Sequence, residues 1–309
     1  MKFHRILFLF FFLHSLSVEA QVPSYVDTNG LVGWWPFDGN ANDYSGNGNN
    51  GTVNGASLTS DRFGSANSAY DYDGINDYIQ VNANSNLDIQ NTLSFSFWMW
   101  MDGGGCNPRV FELDDCPYYN FAMYQTSNVA RNIHFAGFGC NTSTLYMVNT
   151  NNSINSNSIP SLSWQHIVVT FNRGIGEGKI YLNGVLYQVF TSSSFTSPLV
   201  YSNKNLYFGN INPTRCDWWG GKIDDFGLWN KVLDSNKVKL LYNATPCNLT
   251  YNFLQDTITS CGQDSVLLNA GAGFASYNWI NGDSTQSTFA KATGMYSVQV
   301  TDSNGCSAV

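Results

Sequence analysis

The segment from Ser163 to Phe190 constrains the fold more than any other stretch of this chain. Side chains at Ile167–Phe171 and again at Ile180–Leu182 alternate in the way expected of strands with one buried face. The second run leads directly into Asn183-Gly184, the dipeptide that tight hairpin turns favour. The sequence therefore predicts strand, loop, strand, turn and strand in this order, which is typical of an antiparallel β-sheet.

Several motifs recur along the chain in a fixed order. They are Trp164-x-His166, Tyr181-x-Asn183-Gly184, Leu206-Tyr-Phe-Gly209 and Gly221-x-Ile-Asp-Asp-x-x-x-Trp229. This order resembles the laminin-G-like and pentraxin-like family of concanavalin A-type jelly rolls, over about residues 30 to 242. The resemblance implies an all-β, antiparallel two-sheet sandwich that is used for binding.

The first 20 residues have the features of a secretory signal peptide. Lys2 and Arg5 precede an apolar stretch from Ile6 to Leu13, which is too short to cross a bilayer, and small residues offer a cleavage site before Gln21. A formal net charge of −8 disfavours nucleic acid and anionic lipid as partners. We therefore expect a protein that is secreted or exposed at the cell surface and does not insert into the membrane.

The chain is expected to contain two folded parts. A leader at 21–29 precedes the jelly-roll domain at 30–245, which ends with a short helix capped by Asp234. From Cys247 the strand pattern restarts, and residues 247–309 resemble a partial immunoglobulin-like or PKD-like module, with strands at 265–269, 277–280 and 295–301. Because that unit is short for a complete sandwich, we expect further modules of the same polypeptide beyond residue 309.

Two Asp- and Asn-rich loops are candidates for one calcium ion, the only cofactor that the sequence indicates. The loop from Asp38 to Gly51 includes Asp43 but lacks the Gly and Glu positions of an EF-hand. In the turn at 73–77, the pair Asn76-Asp77 resembles, in reversed order, a calcium-ligating pair of the pentraxins, and Asp73 adds a third oxygen. The alternative is a surface loop at 38–51 and a hairpin turn at 73–77, in which these side chains only bind their own backbone.

The sequence shows no active site. Glu112 and Asp114 share the spacing of a glycosidase motif found on the same fold, but Pro117 occupies the position of the acid/base Glu. His166 matches a strand position of the family, so a structural role is expected for it. We therefore predict that the protein is not an enzyme, and glycoside hydrolysis remains a disfavoured alternative.

Loop cysteines and aromatic side chains indicate a rigid binding rim. Seven cysteines all follow residue 20, so disulfides are permitted, but the sequence does not fix their pairing. The candidates are Cys106, Cys116, Cys140 and Cys216 in the first domain and Cys261 and Cys306 in the second. Trp218, Tyr118 and Tyr119 are the candidate ligand-binding residues because Trp and Tyr stack on sugar faces; Trp219 is expected to face inward.

These patterns predict an extracellular binding or adhesion module that recognises carbohydrate or a glycoprotein surface, supported by one calcium ion. A structural spacer of a large surface protein, which binds no ligand, is the alternative.

Overall fold

The computed structural model describes residues 22–89, 91–104, 108–113, 121–126, 132–137, 153–154, 160, 162–191, 205–209, 218–245, 265–302 and 307–308. Several predictions fall outside these residues: the signal peptide, Asp114, Tyr118, Tyr119 and all seven cysteines, which include the six disulfide candidates. Within the described ranges, no helix is long and apolar enough to span a membrane.

β-strands make up nearly all of the regular secondary structure in the described residues. In chain order they are β1 (Leu31–Trp35), β2 (Gly51–Asn54), β3 (Ser57–Thr59), β4 (Ala69–Asp73), β5 (Tyr78–Val81), β6 (Thr92–Gly104), β7 (Arg109–Leu113), β8 (Phe121–Thr126), β9 (Asn132–Gly137), β10 (Ser153–Ile154), β11 (Trp164–Asn172), β12 (Glu177–Leu182), β13 (Val185–Thr191), β14 (Leu206–Gly209), β15 (Trp219–Trp229), β16 (Val266–Asn269), β17 (Ser276–Trp279), β18 (Ser287–Ala290), β19 (Val298–Thr301) and β20 (Ser307–Ala308). One α-helix, α1, spans Ser235–Tyr242.

The first fifteen strands form two antiparallel sheets. Sheet A has the order β13-β12-β11-β6-β15-β4-β3, with β1 paired to the C-terminal half of β15. Sheet B has the order β10-β9-β8-β7-β14-β5-β2. Strands that are distant in sequence are neighbours, as in a jelly-roll sandwich, so the predicted fold class is confirmed.

Aromatic side chains from both sheets fill the space between them. Phe95 and Phe97 of β6 meet Phe111 of β7, with ring centroids 4.6 and 5.8 Å apart, respectively. Phe208 of β14 lies 4.7 Å from Phe226 of β15. All five side chains are fully buried. Burying each one contributes roughly 1.5–3 kcal/mol, so this core holds the two sheets face to face.

A second, smaller apolar cluster covers the outer face of sheet A. Val26, from the segment predicted as a leader, packs there with Trp229 of β15 and with Val238 of α1. The carbonyl oxygen of Asp27 accepts a 2.6 Å hydrogen bond from Trp229 Nε1. As predicted, Asp234 caps α1, and its Oδ1 accepts from two backbone N–H groups of the first turn. The N-terminal segment is therefore a packed layer of the sandwich.

The strands β16 to β20 form two small sheets, β16-β18 and β17-β19-β20. Trp279, Val298 and Val300 form their buried cluster. β16 and β17 agree with the predicted strands within one residue, whereas β18 was not predicted. Membership of this part in an immunoglobulin-like or PKD-like family stays a prediction.

Two turns position the strands beside the candidate sites. Asn183 and Gly184 have φ values of 50° and 76°, the left-handed pair of a hairpin turn, as the sequence predicts. The alternative interpretation of residues 73–77 predicts a hairpin between two paired strands. The turn instead joins β4 of sheet A to β5 of sheet B, so the chain crosses the core here, and Tyr72 and Ile79 face that core from opposite sheets.

Candidate functional site

Trp218 and the turn at 73–77 lie at the same rim of the sandwich. β15 begins at Trp219, and Gly220 pairs with Asp73, the last residue of β4. Trp218 is half-buried, whereas Trp219 is fully buried, as the sequence predicts. The structure therefore brings one predicted ligand-binding residue close to three of the four predicted calcium ligands.

The carboxylates of Asp73 and Asp77 bind backbone amides of their own turn. Oδ1 of Asp73 accepts from the N–H groups of Ile75 (2.8 Å) and Asn76 (3.3 Å). Oδ2 of Asp77 accepts from the N–H of Asp73 (3.0 Å). Calcium needs about six to eight oxygens, and the described residues contain no group of three or more His, Cys, Asp or Glu placed to hold a metal ion. Calcium binding at this turn stays a prediction.

Asp43 organises a different loop. Its carboxylate accepts four hydrogen bonds of 2.9–3.0 Å, from the N–H groups of Trp34, Ser45 and Asn49 and from the Ser45 hydroxyl. That loop runs into Gly51, which pairs with Val81, whereas the turn at 73–77 runs into Tyr78 at the opposite end of β5. The structure thus does not bring Asp43 into the turn with the other predicted ligands.

Glu112, the carboxylate of the glycosidase hypothesis, is a buried member of β7. It is 4% exposed, and its Oε2 lies 3.3 Å from Nη1 of Arg109, which is also buried. A catalytic carboxyl must reach the scissile bond of its substrate. Burial beside a cation therefore argues against a role for Glu112 in glycoside hydrolysis.

Ser96 and His166 have the contact distance of a nucleophile and its base, with 2.8 Å between Oγ and Nε2. However, His166 is 1% exposed, and burial lowers its pKa to about 3. Its Nδ1 is buried and has no hydrogen-bond partner among the described residues, so none of their carboxylates orients the ring. The pair is a structural contact within sheet A, as expected for His166.

A β-bulge in β15 places two adjacent carboxylates together. In a regular strand successive side chains point to opposite faces. Here Asp224 pairs with Trp98 of β6 and Gly227 pairs with Ser96, so β15 contains one more residue than β6 over this stretch. Asp225, within the bulge, has a φ of 47°. Both carboxylates consequently reach Arg62, whose Nη1 lies 2.8 Å from Oδ2 of each.

Arg62 enters a gap in sheet A. β4 pairs with residues 220–223 of β15 and β1 with residues 226–229, so neither strand pairs with the bulge between them. The guanidinium carbon lies 4.6 Å from the ring centroid of Trp98 and 4.3 Å from that of Phe63. Ion pairs and rings together hold the Arg62 side chain at 7% exposure.

An open cleft of about 360 Å³ is lined by this ion triad and by Tyr25, Asp38, Asp61 and Phe63. We call it the Arg62 cleft. Its volume lies within the range of roughly 300–1,000 Å³ found for small-molecule sites. Phe63 is 44% exposed, so the cleft combines a partly exposed aromatic side chain with hydrogen-bonding charged groups. Saccharides, which have an apolar ring face and many hydroxyls, are recognised by this combination.

The Arg62 cleft contains four carboxylates and one guanidinium. Burial and the nearby Asp225 raise the pKa of Asp38 to about 6. Burial and Asp225 also raise the pKa of Asp224, and burial raises the pKa of Asp225 although Arg62 opposes it. When they are ionised, these four carboxylates carry more negative charge than the single guanidinium compensates, and the raised pKa values reflect that imbalance.

In the sequence, Asp224 and Asp225 form part of a family motif, and no pattern predicts their contact with Arg62. The two partners are 162 residues apart in sequence, so no local pattern connects them. One signal was present: two adjacent carboxylates in a mostly buried strand require a cation. That signal predicts a partner but does not identify it.

The two packed antiparallel sheets and their strand order define a jelly-roll sandwich of the concanavalin A type. The sequence profile of the laminin G family described as the concanavalin A-like lectin/glucanases superfamily matches residues 73–239. The match covers more than half of the chain, and the protein belongs to this family. It includes Asp224 and Asp225 but begins after Arg62.

Solved structures share this fold at low sequence identity. The receptor-binding domain of botulinum neurotoxin C/D mosaic serotype aligns with a TM-score of 0.53 and 18% identity, over 70% of this chain and 51% of that domain. Botulinum neurotoxin type C, which depends on two ganglioside molecules to enter cells, aligns with a TM-score of 0.53 and 20% identity, over 78% and 57%. Domain 4 of AbnA, an extracellular arabinanase of Geobacillus stearothermophilus, was solved with arabinotriose and aligns with a TM-score of 0.50 and 19% identity, over 69% and 98%.

The chain spans about half the length of the neurotoxin structures that it matches. No curated protein matches it significantly. At these identities, the likeness to solved structures shows the fold alone.

Proposed function

We propose that this protein is an extracellular, non-catalytic module that binds carbohydrate and thereby mediates adhesion. The Arg62 cleft carries the proposal, because it offers the exposed ring of Phe63 beside the charged groups of Arg62 and Asp225 in a space of about 360 Å³. A saccharide can stack its apolar face on the ring while its hydroxyls pair with the charged groups.

The family and its relatives support the same class of ligand. Domain 4 of the arabinanase binds arabinotriose, and botulinum neurotoxin type C interacts with gangliosides. The first 20 residues, with the features of a signal peptide, support an extracellular location. Under this proposal the strands form a scaffold, and loops and bulges supply the specificity.

The rim with Trp218 is a second place where the same function could be carried out. Trp218 lies close to the turn at 73–77, which is the predicted calcium turn, and the predicted partners Tyr118 and Tyr119 lie outside the described residues. Binding at this rim would depend on calcium if the turn ligates the ion, whereas binding in the Arg62 cleft needs no metal.

The test is a glycan-array screen of the full chain, run once with calcium and once with a chelator. We expect binding to a restricted set of glycans that Phe63→Ala reduces at least about tenfold, because the variant removes the stacking ring. Tyr187→Ala, which removes a partly exposed ring on β13, is the matched control and should bind as the wild type does.

If glycan binding is lost with Trp218→Ala and with chelator, but not with Phe63→Ala, the binding site lies at the rim and not in the Arg62 cleft. Absence of binding to every glycan in both conditions would contradict carbohydrate binding and favour a spacer role.

A further inference from the structure

The carboxylates of the Arg62 cleft are only partly satisfied. Oδ2 of Asp224 and Oδ2 of Asp225 share one guanidinium nitrogen, Nη1 of Arg62. Among the described residues, no hydrogen bond reaches Oδ1 of either carboxylate. The two side chains are 3% and 13% exposed, so water replaces the missing donors only in part.

Arg62 itself retains an unused donor. Its Nε is buried and has no hydrogen-bond partner among the described residues, although the side chain lines the cleft. An unsatisfied buried donor costs free energy. Because Nε has almost no accessible surface, the polar contacts that the cleft offers a ligand come from the carboxylates.

The excess charge restricts the ligand. Asp38 and Asp61 add two carboxylates to the triad, so the formal balance of the five groups is four negative charges against one positive. An acidic sugar would bring a fifth carboxylate next to these groups and be repelled. A metal ion is not favoured, because the described residues contain no cluster of three or more ligating side chains with suitable geometry.

We propose that the Arg62 cleft binds a saccharide that carries a protonated amino group. An ammonium group is a compact cation with three donors, which fits the free Oδ1 atoms of Asp224 and Asp225. Phe63 and Tyr25 line the same cleft and supply surfaces against which a sugar ring packs. This inference rests on the proposed carbohydrate-binding function and adds the chemistry that selects the ligand.

The pKa directions agree with this selection. Burial and neighbouring carboxylates raise the pKa values of Asp38 and Asp224, so their ionised forms lack compensation in the free protein. A bound cation stabilises those ionised forms and lowers the pKa values again. Salt should weaken the interaction because part of it is a Coulomb attraction between partly exposed groups.

The experiment compares two oligosaccharides that differ only at nitrogen. Titration calorimetry of the full chain uses glucosamine oligomers and N-acetylglucosamine oligomers at about pH 6, well below the ordinary pKa of an α-amino group. We expect the glucosamine oligomers to bind at least about tenfold more tightly, since acetylation removes the charge. A chelator should not change this ratio.

Asp225→Asn is expected to reduce the affinity for glucosamine oligomers at least about tenfold and to bring it close to that for the acetylated form. Because the Asp225 side chain is only 13% exposed and this variant could fail to fold, Asp38→Asn, at the exposed side of the cleft, provides a second test with the same direction. Asp102→Asn, an exposed carboxylate at the end of β6 that does not line the cleft, is the matched control and should retain the wild-type affinity.

The outcomes separate this inference from the function on which it rests. Equal affinity for the two oligomers, or binding that Asp225→Asn and Asp38→Asn leave unchanged, overturns the selection for an amine while a glycan-array signal still supports carbohydrate binding. Competition by polylysine as effective as that by glucosamine oligomers also overturns it, since charge without the sugar would then suffice. Failure to bind any glycan contradicts both proposals.

Discussion

At the scale of single residues, the surroundings of an aspartate decide what it does. Asp43 and Asp73 accept hydrogen bonds from backbone amides and hold their own loops together. Asp224 has the same side chain, but it is buried beside a second carboxylate and one guanidinium. The first two stabilise local structure, whereas burial and the neighbouring Asp225 raise the pKa of Asp224 although Arg62 opposes the rise.

Asp38 provides a prediction at this scale. Its pKa of about 6 is above the ordinary value of 3.8, so the folded state binds more protons than the unfolded state between these values. The unfavourable effect of its charge is absent below about pH 4 and develops fully as the pH rises through 6. Asp38→Asn should therefore be more stable than wild type at pH 7, by less than about 1 kcal/mol because water screens this partly exposed group.

Urea unfolding at several pH values measures this difference. The gain in the free energy of unfolding should shrink as the pH falls from 7 to 4. A difference that is constant with pH would show that the charge of Asp38 is not its cause.

At the scale of elements, the crossings between the two sheets depend on close packing. The segment between β2 and β3 and the turn between β4 and β5 both cross from one sheet to the other. Gly55, in the first crossing, has a φ of 85°, and a Cβ built there would lie 1.9 Å from Oδ1 of Asp77 in the second. Only glycine lets the two crossings approach so closely.

Gly55→Ala should lower the free energy of unfolding by about 2–4 kcal/mol, through backbone strain and the clash with Asp77. Gly64→Ala is the matched control, because Gly64 has nearly the same φ, 87°, but open space where a Cβ would be placed. It should cost only about 1 kcal/mol. Chemical denaturation measures both, and equal losses would contradict the role assigned to the contact with Asp77.

At the scale of the whole molecule, the described side chains form separate apolar cores. The two clusters of the sandwich contain buried residues from Val26 to Leu241, whereas the third contains Trp279, Val298 and Val300. No buried residue belongs to both groups. This separation agrees with the predicted boundary near residue 245, which stays a prediction.

We expect scanning calorimetry of the full chain to resolve two unfolding transitions, because separate cores unfold independently. Truncation after Thr245 should remove one transition and leave the midpoint of the other within about 2 °C. A single transition in the full chain, or a large loss of stability on truncation, would contradict independent domains.

The features predicted correctly are those that neighbouring residues encode. The alternation at 167–171, the hairpin at Asn183-Gly184 and the cap at Asp234 each depend on the conformational preferences of a few adjacent residues. The family was identified because several such local motifs occur in a fixed order. The turn at 73–77 was misinterpreted as a hairpin because the sheet to which each strand belongs is not a local property.

The sequence by itself determined the strands, their buried faces, the tight turns and the family of this protein, since period-two patterns and turn residues act over a few positions. The tertiary structure alone decided that Arg62 meets Asp224 and Asp225 across 162 residues, and that a bulge turns both carboxylates to one side. The physical reason is that pairing between distant strands follows from the packing of the whole core, which the sequence of any one segment does not specify.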